Sequence, residues 1–181
     1  KVGGAALLNC SFVSTKDIDV DFARPFTFMM DMSMLGVGVG FDCRGAGRRN
    51  IVEPQVSADV LSVEDSREGW AAVLQHVLRA YAGEELLSAS RDYSRVRAAG
   101  TRIKGFGGVS AGPEPLIQLI ERDIPTILGR NIGQPITSTS IVDVMNCIGR
   151  CVVSGNVRRS AQIALGDMHD AEFRGLKNPE S

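Results

Sequence analysis

The sequence contains no apolar run of the length that a membrane-spanning helix requires. Such a helix needs about 20 predominantly apolar residues in succession, and polar or charged side chains interrupt every apolar stretch of this chain well before that length. The first residues also lack the basic segment and the long apolar segment of a secretory signal peptide. We therefore expect a cytoplasmic protein that has no membrane partner.

An excess of either charge is also missing. The 181 residues include 20 Lys and Arg against 21 Asp and Glu, which gives a net charge of -1. Because a surface that neutralises many phosphates needs a strong positive excess, we expect no nucleic-acid partner. The arginines do form local groups that suit the phosphates of a small ligand. These groups are Arg44, Arg48 and Arg49; Arg91, Arg95, Arg97 and Arg102 with Lys104; and Arg150, Arg158 and Arg159.

Cysteines are few and irregularly spaced. The four of them form no CxxC pair and no Cys/His pair, so neither a disulfide framework nor a metal site is predicted. Cys147 and Cys151 lie one turn apart on a predicted helix, and we expect them to be small core residues. Cys10 adjoins the polar Asn9 inside an otherwise apolar strand, and its chemistry alone favours a buried structural thiol.

Apolar periodicity predicts strands that alternate with helices. The predicted helices are residues 25–35, residues 64–81, a helix that starts at Pro113 and one that runs through Val144, Cys147, Ile148 and Cys151. The predicted strands are residues 5–13, 36–41 and 161–165. Strands and helices in this order are typical of an α/β protein with mainly parallel strands. Residues 44–60 lack periodicity and are predicted to be irregular and linker-like.

Two of the predicted helices carry an N-terminal capping pattern. Ser62 with Asp65 is the pattern ahead of the helix at 64–81, and Gly83 is placed to end that helix. Ser140 with Asp143 is the corresponding pattern ahead of the last helix.

Two glycine-rich segments are candidate ligand sites. Residues 36–40 read Gly-Val-Gly-Val-Gly, but a helix precedes them, whereas a dinucleotide-binding fingerprint needs a strand before it and a helix after it. A close approach of the backbone to a ligand or a neighbour explains these glycines better. Residues 105–113 form a glycine-rich loop that enters a helix, and either anion binding or tight loop packing accounts for it.

Five segments, taken together and in order, resemble the catalytic subunits of ribonucleotide reductases, and most closely the adenosylcobalamin-dependent class II. The segments are residues 3–15, 34–42, 63–70, 97–108 and 155–161, and they are distributed along nearly the whole chain. The resemblance implies that residues 1–181 are part of the ten-stranded α/β barrel of this family, with mainly parallel strands and flanking helices.

The resemblance also implies roles for residues at the substrate. In this family one cysteine carries a thiyl radical, and two others reduce the ribose 2'-position while they form a disulfide. Cys10 matches the first cysteine of that reducing pair, and Asn9, Gly36, Gly38 and Arg158 match positions beside the ribonucleotide substrate.

A second set of residues matches the family's allosteric site, which binds a deoxynucleotide or ATP. Asp17 and Ile18 match contacts to the effector base, and Arg97 and Lys104 match contacts to its phosphates. The loop that lies between effector and substrate in the family corresponds to Gly155, Asn156, Arg158 and Arg159.

Other parts of the family's machinery have no match here. The radical cysteine, its partner Asn and Glu, and the second reducing cysteine lie downstream in the family, and no docking surface for adenosylcobalamin is identified. We therefore expect this chain to need the C-terminal part of the reductase and a thioredoxin-like or dithiol reductant. Residues 44–93 resemble an insertion near the effector site of monomeric cobalamin-dependent members.

Two other functions remain open at this point. A non-catalytic, nucleotide-binding regulatory module would use the same Arg and Gly loops without needing Cys10. A nicotinamide-dependent oxidoreductase would depend on the glycine pattern at 36–40 alone.

Overall fold

The computed structural model describes residues 9–102, 109–154 and 161–178, and in them short strands alternate with helices. The strands are β1 (Cys10–Val13), β2 (Gly38–Asp42), β3 (Val60–Ser62), β4 (Ser90–Asp92) and β5 (Gln162–Leu165). The helices are α1 (Arg24–Met34), α2 (Arg67–Tyr81), α3 (Glu114–Gln118), α4 (Ile124–Gly129), α5 (Ser138–Val153) and α6 (Ala171–Gly175), and a π-helical turn at Leu119–Asp123 joins α3 to α4. The predicted α/β class is confirmed. In these described ranges no helix is both long and apolar enough to cross a membrane.

The strand β2 is the centre of a three-stranded parallel sheet with the order β1-β2-β5. The register places Cys10 opposite Gly38, Phe12 opposite Gly40, and Gly40 opposite Ile163. Because side chains alternate between the two faces of a sheet, Cys10, Phe12 and Ile163 share one face. The predicted strand at 5–13 begins at Cys10 in the described part of the chain, and residues 5–8 lie outside it.

The opposite face of the sheet packs against the helices. Val39 and Phe41 of β2 are buried there, and α1 contacts both α2 and α5 behind them. Burial of one large apolar side chain contributes roughly 1.5–3 kcal/mol, so this layer is the main source of stability. Most residues of the apolar stripes that helical spacing predicts are buried in it: Phe26, Met29, Met30 and Met34; Val73, Leu74, Val77, Leu78 and Tyr81; and Leu116, Ile120, Ile124 and Ile127. Trp70 and Ile117, which the same spacing places on these stripes, are only half-buried.

The predicted cap of α2 is wrong, although its predicted end is confirmed. The hydroxyl of Ser66 caps the helix and accepts a hydrogen bond of 2.9 Å from the Gly69 backbone N–H. Ser62 cannot do so because it is the last residue of β3, and the carboxylate of Asp65 instead accepts a hydrogen bond from Arg97. Gly83 follows the helix with φ of 72°, a conformation that favours glycine.

The predicted cap of α5 is wrong for a similar reason. The helix begins at Ser138, and the hydroxyl of Thr137 accepts a hydrogen bond of 3.2 Å from the Ser140 backbone N–H. The Ser140 hydroxyl donates to the Asn131 side chain instead of capping the helix. Asp143 lies in the first turns of the helix and pairs with Arg130 at 3.7 Å.

The segment 44–60 is irregular as predicted, but it is packed rather than linker-like. Ile51 is fully buried, its N–H donates to the Gln134 carbonyl at 2.9 Å, and its own carbonyl accepts from the Gly133 N–H at 2.8 Å. Single β-bridges pair Val56 with Leu87 and Asn50 with Pro135. The segment therefore lies against α2 and the loop before α5.

A proline explains the π-helical turn between α3 and α4. Pro125 has no N–H for the Glu121 carbonyl four residues earlier, and its ring would clash with that carbonyl in a regular α-helix. The chain widens by one residue, so that the Ile124 N–H donates to the Leu119 carbonyl. The chain therefore stays helical through Pro125, and α4 follows the π-helical turn directly.

The widened turn also carries an ion pair that joins Glu121 to Arg91 of β4. Glu121 accepts two hydrogen bonds from Arg91 and one of 2.6 Å from the Tyr93 hydroxyl. Burial raises the pKa of Glu121, but these hydrogen bonds outweigh burial and the net pKa is lowered. The contact holds β4 against the helix.

Two helical glycines should respond in opposite ways to alanine. A Cβ at Gly69 would lie 2.5 Å from the Glu64 carbonyl oxygen, whereas nothing lies within 4 Å of a Cβ at Gly129. We predict that Gly69→Ala lowers the free energy of unfolding by about 1–3 kcal/mol. Gly129→Ala should be neutral or stabilise by up to about 1 kcal/mol. Urea unfolding of the purified variants measures both, and equal effects would contradict the packing at Gly69.

Candidate active site

The N-terminal end of the sheet brings together three of the predicted substrate-side residues. The Asn9 carbonyl accepts a hydrogen bond of 3.0 Å from the Gly38 N–H, and Cys10 is the register partner of Gly38. The Cys10 thiol is free and exposed, which corrects the expectation of a buried structural thiol. The strand is apolar, but this thiol lies on the face that the helices do not cover.

The face around the thiol is open and apolar. Phe12, Ile163 and Leu165 are 49%, 60% and 48% exposed on it. A Cβ at Gly38 would lie 3.6 Å from the Asn9 carbonyl oxygen, which is an ordinary contact. Packing within the described chain therefore does not require glycine at this position, and the missing side chain leaves space beside Cys10.

The backbone conformation alone explains why residue 36 is a glycine. Its φ is 81°, a conformation that strains other residues, and its N–H donates to the Ser33 carbonyl at 2.9 Å. The residue ends α1 and turns the chain into β2. Its predicted place beside the substrate stays a prediction.

At the opposite end of the sheet, a network that the sequence did not indicate joins β1 to β2. The Asp42 Oδ1 accepts hydrogen bonds from the Thr15 N–H at 2.9 Å and from the Thr15 hydroxyl at 3.1 Å. Its Oδ2 accepts one of 2.8 Å from Arg44 Nε. The Thr15 hydroxyl oxygen accepts a further bond of 2.8 Å from the Gly45 N–H. We call this network of Asp42, Thr15, Arg44 and Gly45 the strand clasp.

The strand clasp holds the turn that contains two predicted effector contacts. The Ile18 N–H donates to the Thr15 carbonyl at 3.0 Å, and the Ile18 side chain is fully buried. A Cβ at Gly45 would lie 2.6 Å from the Thr15 carbonyl oxygen, so only glycine fits under the turn. Asp17 is exposed and lies 3.9 Å from the Lys16 ammonium.

Arg97 pairs with a different part of the chain from this turn. Its Nε donates to Asp65 at 2.6 Å just before α2 begins, whereas Asp21, which ends the turn, lies 3.9 Å from Arg79 in the last turn of α2. The 15 residues of α2 span about 22 Å at about 1.5 Å per residue. The turn and Arg97 are thus attached near opposite ends of α2, and a shared effector contact of Asp17 and Arg97 stays a prediction.

Some predicted site residues lie outside the described ranges. They are Lys104, Gly155, Asn156, Arg158 and Arg159.

The other three cysteines are poor nucleophiles. Burial is the main cause that raises the pKa of Cys43 to about 12, of Cys147 to about 11 and of Cys151 to about 12, and nearby carboxylates raise each of these further. Because the thiolate is the reactive form, these groups stay protonated near neutral pH. Cys151 is buried and Cys147 half-buried, which agrees with packing roles.

One further group resembles a hydrolase triad but lacks access to a substrate. His76 Nδ1 lies 3.0 Å from Glu85 Oε1, and His76 Nε2 lies 3.2 Å from the Ser88 hydroxyl. The Ser88 backbone N–H donates to the same Nε2 at 3.0 Å, so Nε2 is the unprotonated nitrogen. Ser88 is only 4% exposed, and the group holds the loop after α2 in place.

Comparisons with known proteins agree on one family. A family model described as the insertion domain of B12-dependent ribonucleotide reductase matches residues 43–128. An adenosylcobalamin-dependent ribonucleoside-triphosphate reductase of Euglena gracilis is 46% identical over 98% of this chain and 24% of its own length. A probable enzyme of the same name from Dictyostelium discoideum is 46% identical over 96% of this chain and 25% of its own length.

A solved structure is similar as well. A crystal structure of a B12-dependent, class II ribonucleotide reductase superimposes with a TM-score of 0.69 at 26% identity, over 87% of this chain and 26% of that one. The chain spans about a quarter of the length of the curated relatives it matches.

The four cysteines should differ sharply in reactivity. We predict that a maleimide at pH 7 labels Cys10 first, because the raised pKa values and burial of Cys43, Cys147 and Cys151 leave little accessible thiolate. Peptide mass spectrometry after a short exposure identifies the labelled residue. Cys10→Ser is the control and should abolish the fast label. Early labelling of Cys151 would contradict the described burial.

Proposed function

Because this chain belongs to the family of adenosylcobalamin-dependent ribonucleotide reductases, we propose that it is part of an enzyme that reduces ribonucleotides to deoxyribonucleotides. The observation that carries the proposal is the exposed thiol of Cys10 opposite Gly38, on the face of the sheet that the helices leave open. A reducing thiol needs both access to the ribose and a rigid support, and the exposure of Cys10 on a paired strand supports that role.

In the proposed fold, the sheet is one sector of a ten-stranded α/β barrel. β1 and β5 each have an unpaired edge in the described chain, and exposed Phe12, Ile163 and Leu165 would face the barrel interior. Further strands from the rest of the protein would pair with these edges. We further propose that residues 44–93 are an insertion, which the family-model match at 43–128 supports.

The chemistry assigned to Cys10 is a two-electron reduction. The thiols of Cys10 and of a second cysteine outside residues 1–181 give up two electrons and form a disulfide. The ribose 2'-hydroxyl leaves as water, and hydrogen takes its place on the 2'-carbon. A second dithiol, from a thioredoxin-like protein or a small molecule, then reduces the disulfide by thiol exchange. Asn9 and Gly38 would border the ribose beside the thiol.

We propose adenosylcobalamin as the cofactor of the complete enzyme, which supplies the radical chemistry when bound. Two clefts of the described part have linings that do not suit a large corrinoid, because their carboxylates dominate or already have partners. One is lined by Glu53, Glu84 and Glu85 together with Val52 and Leu86. The other lies at the start of α5, where Asp170 and Glu172 already bond to Ser138 and to the Thr139 N–H. We therefore assign no described residue to the cofactor.

The proposed allosteric site binds a deoxynucleoside triphosphate or ATP. Asp17 is exposed on the turn after β1, and Arg97 is half-buried in its pair with Asp65. Ile18 would contact the base only through its backbone, because its side chain is fully buried. Lys104 would contact the effector phosphates. The loop that contains Gly155, Asn156, Arg158 and Arg159 would lie between effector and substrate.

Loss of the Cys10 thiol should stop catalysis in the complete enzyme. We predict that Cys10→Ser abolishes multiple turnover with a dithiol reductant, because serine cannot form the disulfide. Deoxynucleotide formation measured by chromatography gives the result. Cys147→Ala is the matched control, and it should change the free energy of unfolding by about 1 kcal/mol without changing turnover. Unchanged turnover of Cys10→Ser would refute the assignment.

Arg97 and Arg95 allow a matched test of the effector site. Both pair with a carboxylate near the start of α2, Arg97 with Asp65 and Arg95 with Glu64. We predict that Arg97→Ala weakens effector binding about 10- to 150-fold, since a lost charged hydrogen bond costs about 1.5–3 kcal/mol. Arg95→Ala should leave the affinity unchanged. Calorimetric titration of the complete enzyme with each deoxynucleoside triphosphate measures this, and equal affinities of wild type and Arg97→Ala would exclude the contact.

A further inference from the structure

The glycines of β2 make the contact of Phe12 compatible with more than one register of β1 against β2 that keeps the same faces. The Phe12 ring lies over Gly40, where a Cβ would be only 2.9 Å from Phe12 Cδ2. Gly38 would offer the same space if β1 moved by two residues, because it also lacks a side chain. Glycine-rich strands are prone to such slippage, so the contact between Phe12 and β2 does not select one register.

The register decides where the Cys10 thiol lies. A shift of one residue would turn Cys10 to the face that the helices cover, since side chains alternate along a strand. A shift of two residues would keep the face but place Cys10 opposite Gly36, about 6–7 Å from its present position. Either change would remove the thiol from its place beside Gly38 and Asn9.

The strand clasp distinguishes between these registers. Asp42 is the last residue of β2 and its carboxylate is buried. In the observed register it accepts hydrogen bonds from both the N–H and the hydroxyl of Thr15, 27 positions earlier in the chain. A shift of β1 by two residues would remove Thr15 and leave the buried carboxylate underbonded, which is costly.

The carboxylate is also held in its charged form. Burial raises the pKa of Asp42, but hydrogen bonds from Ser14, Thr15 and Arg44 outweigh burial and lower the net pKa. Hydrogen bonds to a charged acceptor are stronger and more directional than neutral ones. The Asp42 carboxylate is therefore charged, and able to select the register, across the neutral pH range.

We infer that Asp42 and Thr15 are positioning residues that set the register of β1 against β2 and so hold the Cys10 thiol opposite Gly38. The inference depends on the proposed function only in taking Cys10 as a reducing thiol. Neither residue touches the reacting atoms, because the strand clasp lies at the far end of both strands.

A single-turnover experiment separates positioning from folding. The complete enzyme is reduced, freed of external reductant and mixed with adenosylcobalamin, effector and ribonucleotide, so that each active site forms one deoxynucleotide as its thiol pair is oxidised. The product amplitude counts folded, competent sites, and the rate constant reports how well the thiol is placed. Thr15→Val should lower the rate constant about 10- to 100-fold at an unchanged amplitude. Thr15→Ser, which keeps the hydroxyl, should restore the wild-type rate.

A second variant of the strand clasp and a control variant outside it complete the experiment. Asp42→Asn keeps the side-chain size but turns an amide N–H toward a donor, and it should slow the reaction as Thr15→Val does even if the valine variant fails to fold. Thr27→Val removes a hydroxyl that bonds only within the α1 region and should leave the rate unchanged.

The outcomes also distinguish this inference from the proposed function. Wild-type rates in folded Thr15→Val and Asp42→Asn, with Cys10→Ser inactive, would overturn the register role alone. Product from Cys10→Ser at the wild-type rate would overturn the reducing role of Cys10 and the positioning inference with it.

Discussion

The parallel pairing of β1 with β2 is the constraint from which the other features of the candidate site follow. The pair places Cys10 opposite Gly38 at one end and Thr15 beside Asp42 at the other. One face of the pair is buried by α1 and the helices behind it, while the other is open around the thiol. The same two strands therefore supply a rigid support on one side and access for a substrate on the other.

Most arginines of the groups that suit phosphates form ion pairs within the chain. The pairs are Arg49 with Glu84, Arg91 with Glu121, Arg95 with Glu64, Arg97 with Asp65 and Arg150 with Asp123. An ion pair on the surface contributes only about 0–1 kcal/mol, and the Arg97 side chain is 34% exposed in its pair. In the proposed effector site a phosphate would compete with Asp65 for Arg97, whereas Arg91, which is more deeply buried and also bonded to the Ser88 carbonyl, is a structural contact.

The sequence predicted what depends on local periodicity and missed what depends on distant partners. The helices, their buried faces and the turn at Gly83 follow from spacing within a few residues, and the structure confirms them. The caps of α2 and α5 were predicted a few residues away because Asp65 and Ser140 have tertiary partners. Nothing near Thr15 or Asp42 in the sequence indicates that these residues meet. Cys10 was placed in the site by resemblance, since its residue type alone favoured burial.

In the proposed reaction Cys10 is one of the two thiols that are oxidised when a ribonucleotide is reduced. The most direct measurement is disulfide mapping of the complete, pre-reduced enzyme after one turnover without external reductant, with alkylation of the remaining thiols and peptide mass spectrometry. The account predicts a disulfide between Cys10 and a cysteine outside residues 1–181, in an amount equal to the deoxynucleotide formed. Deoxynucleotide formed while Cys10 stays fully alkylated would contradict it.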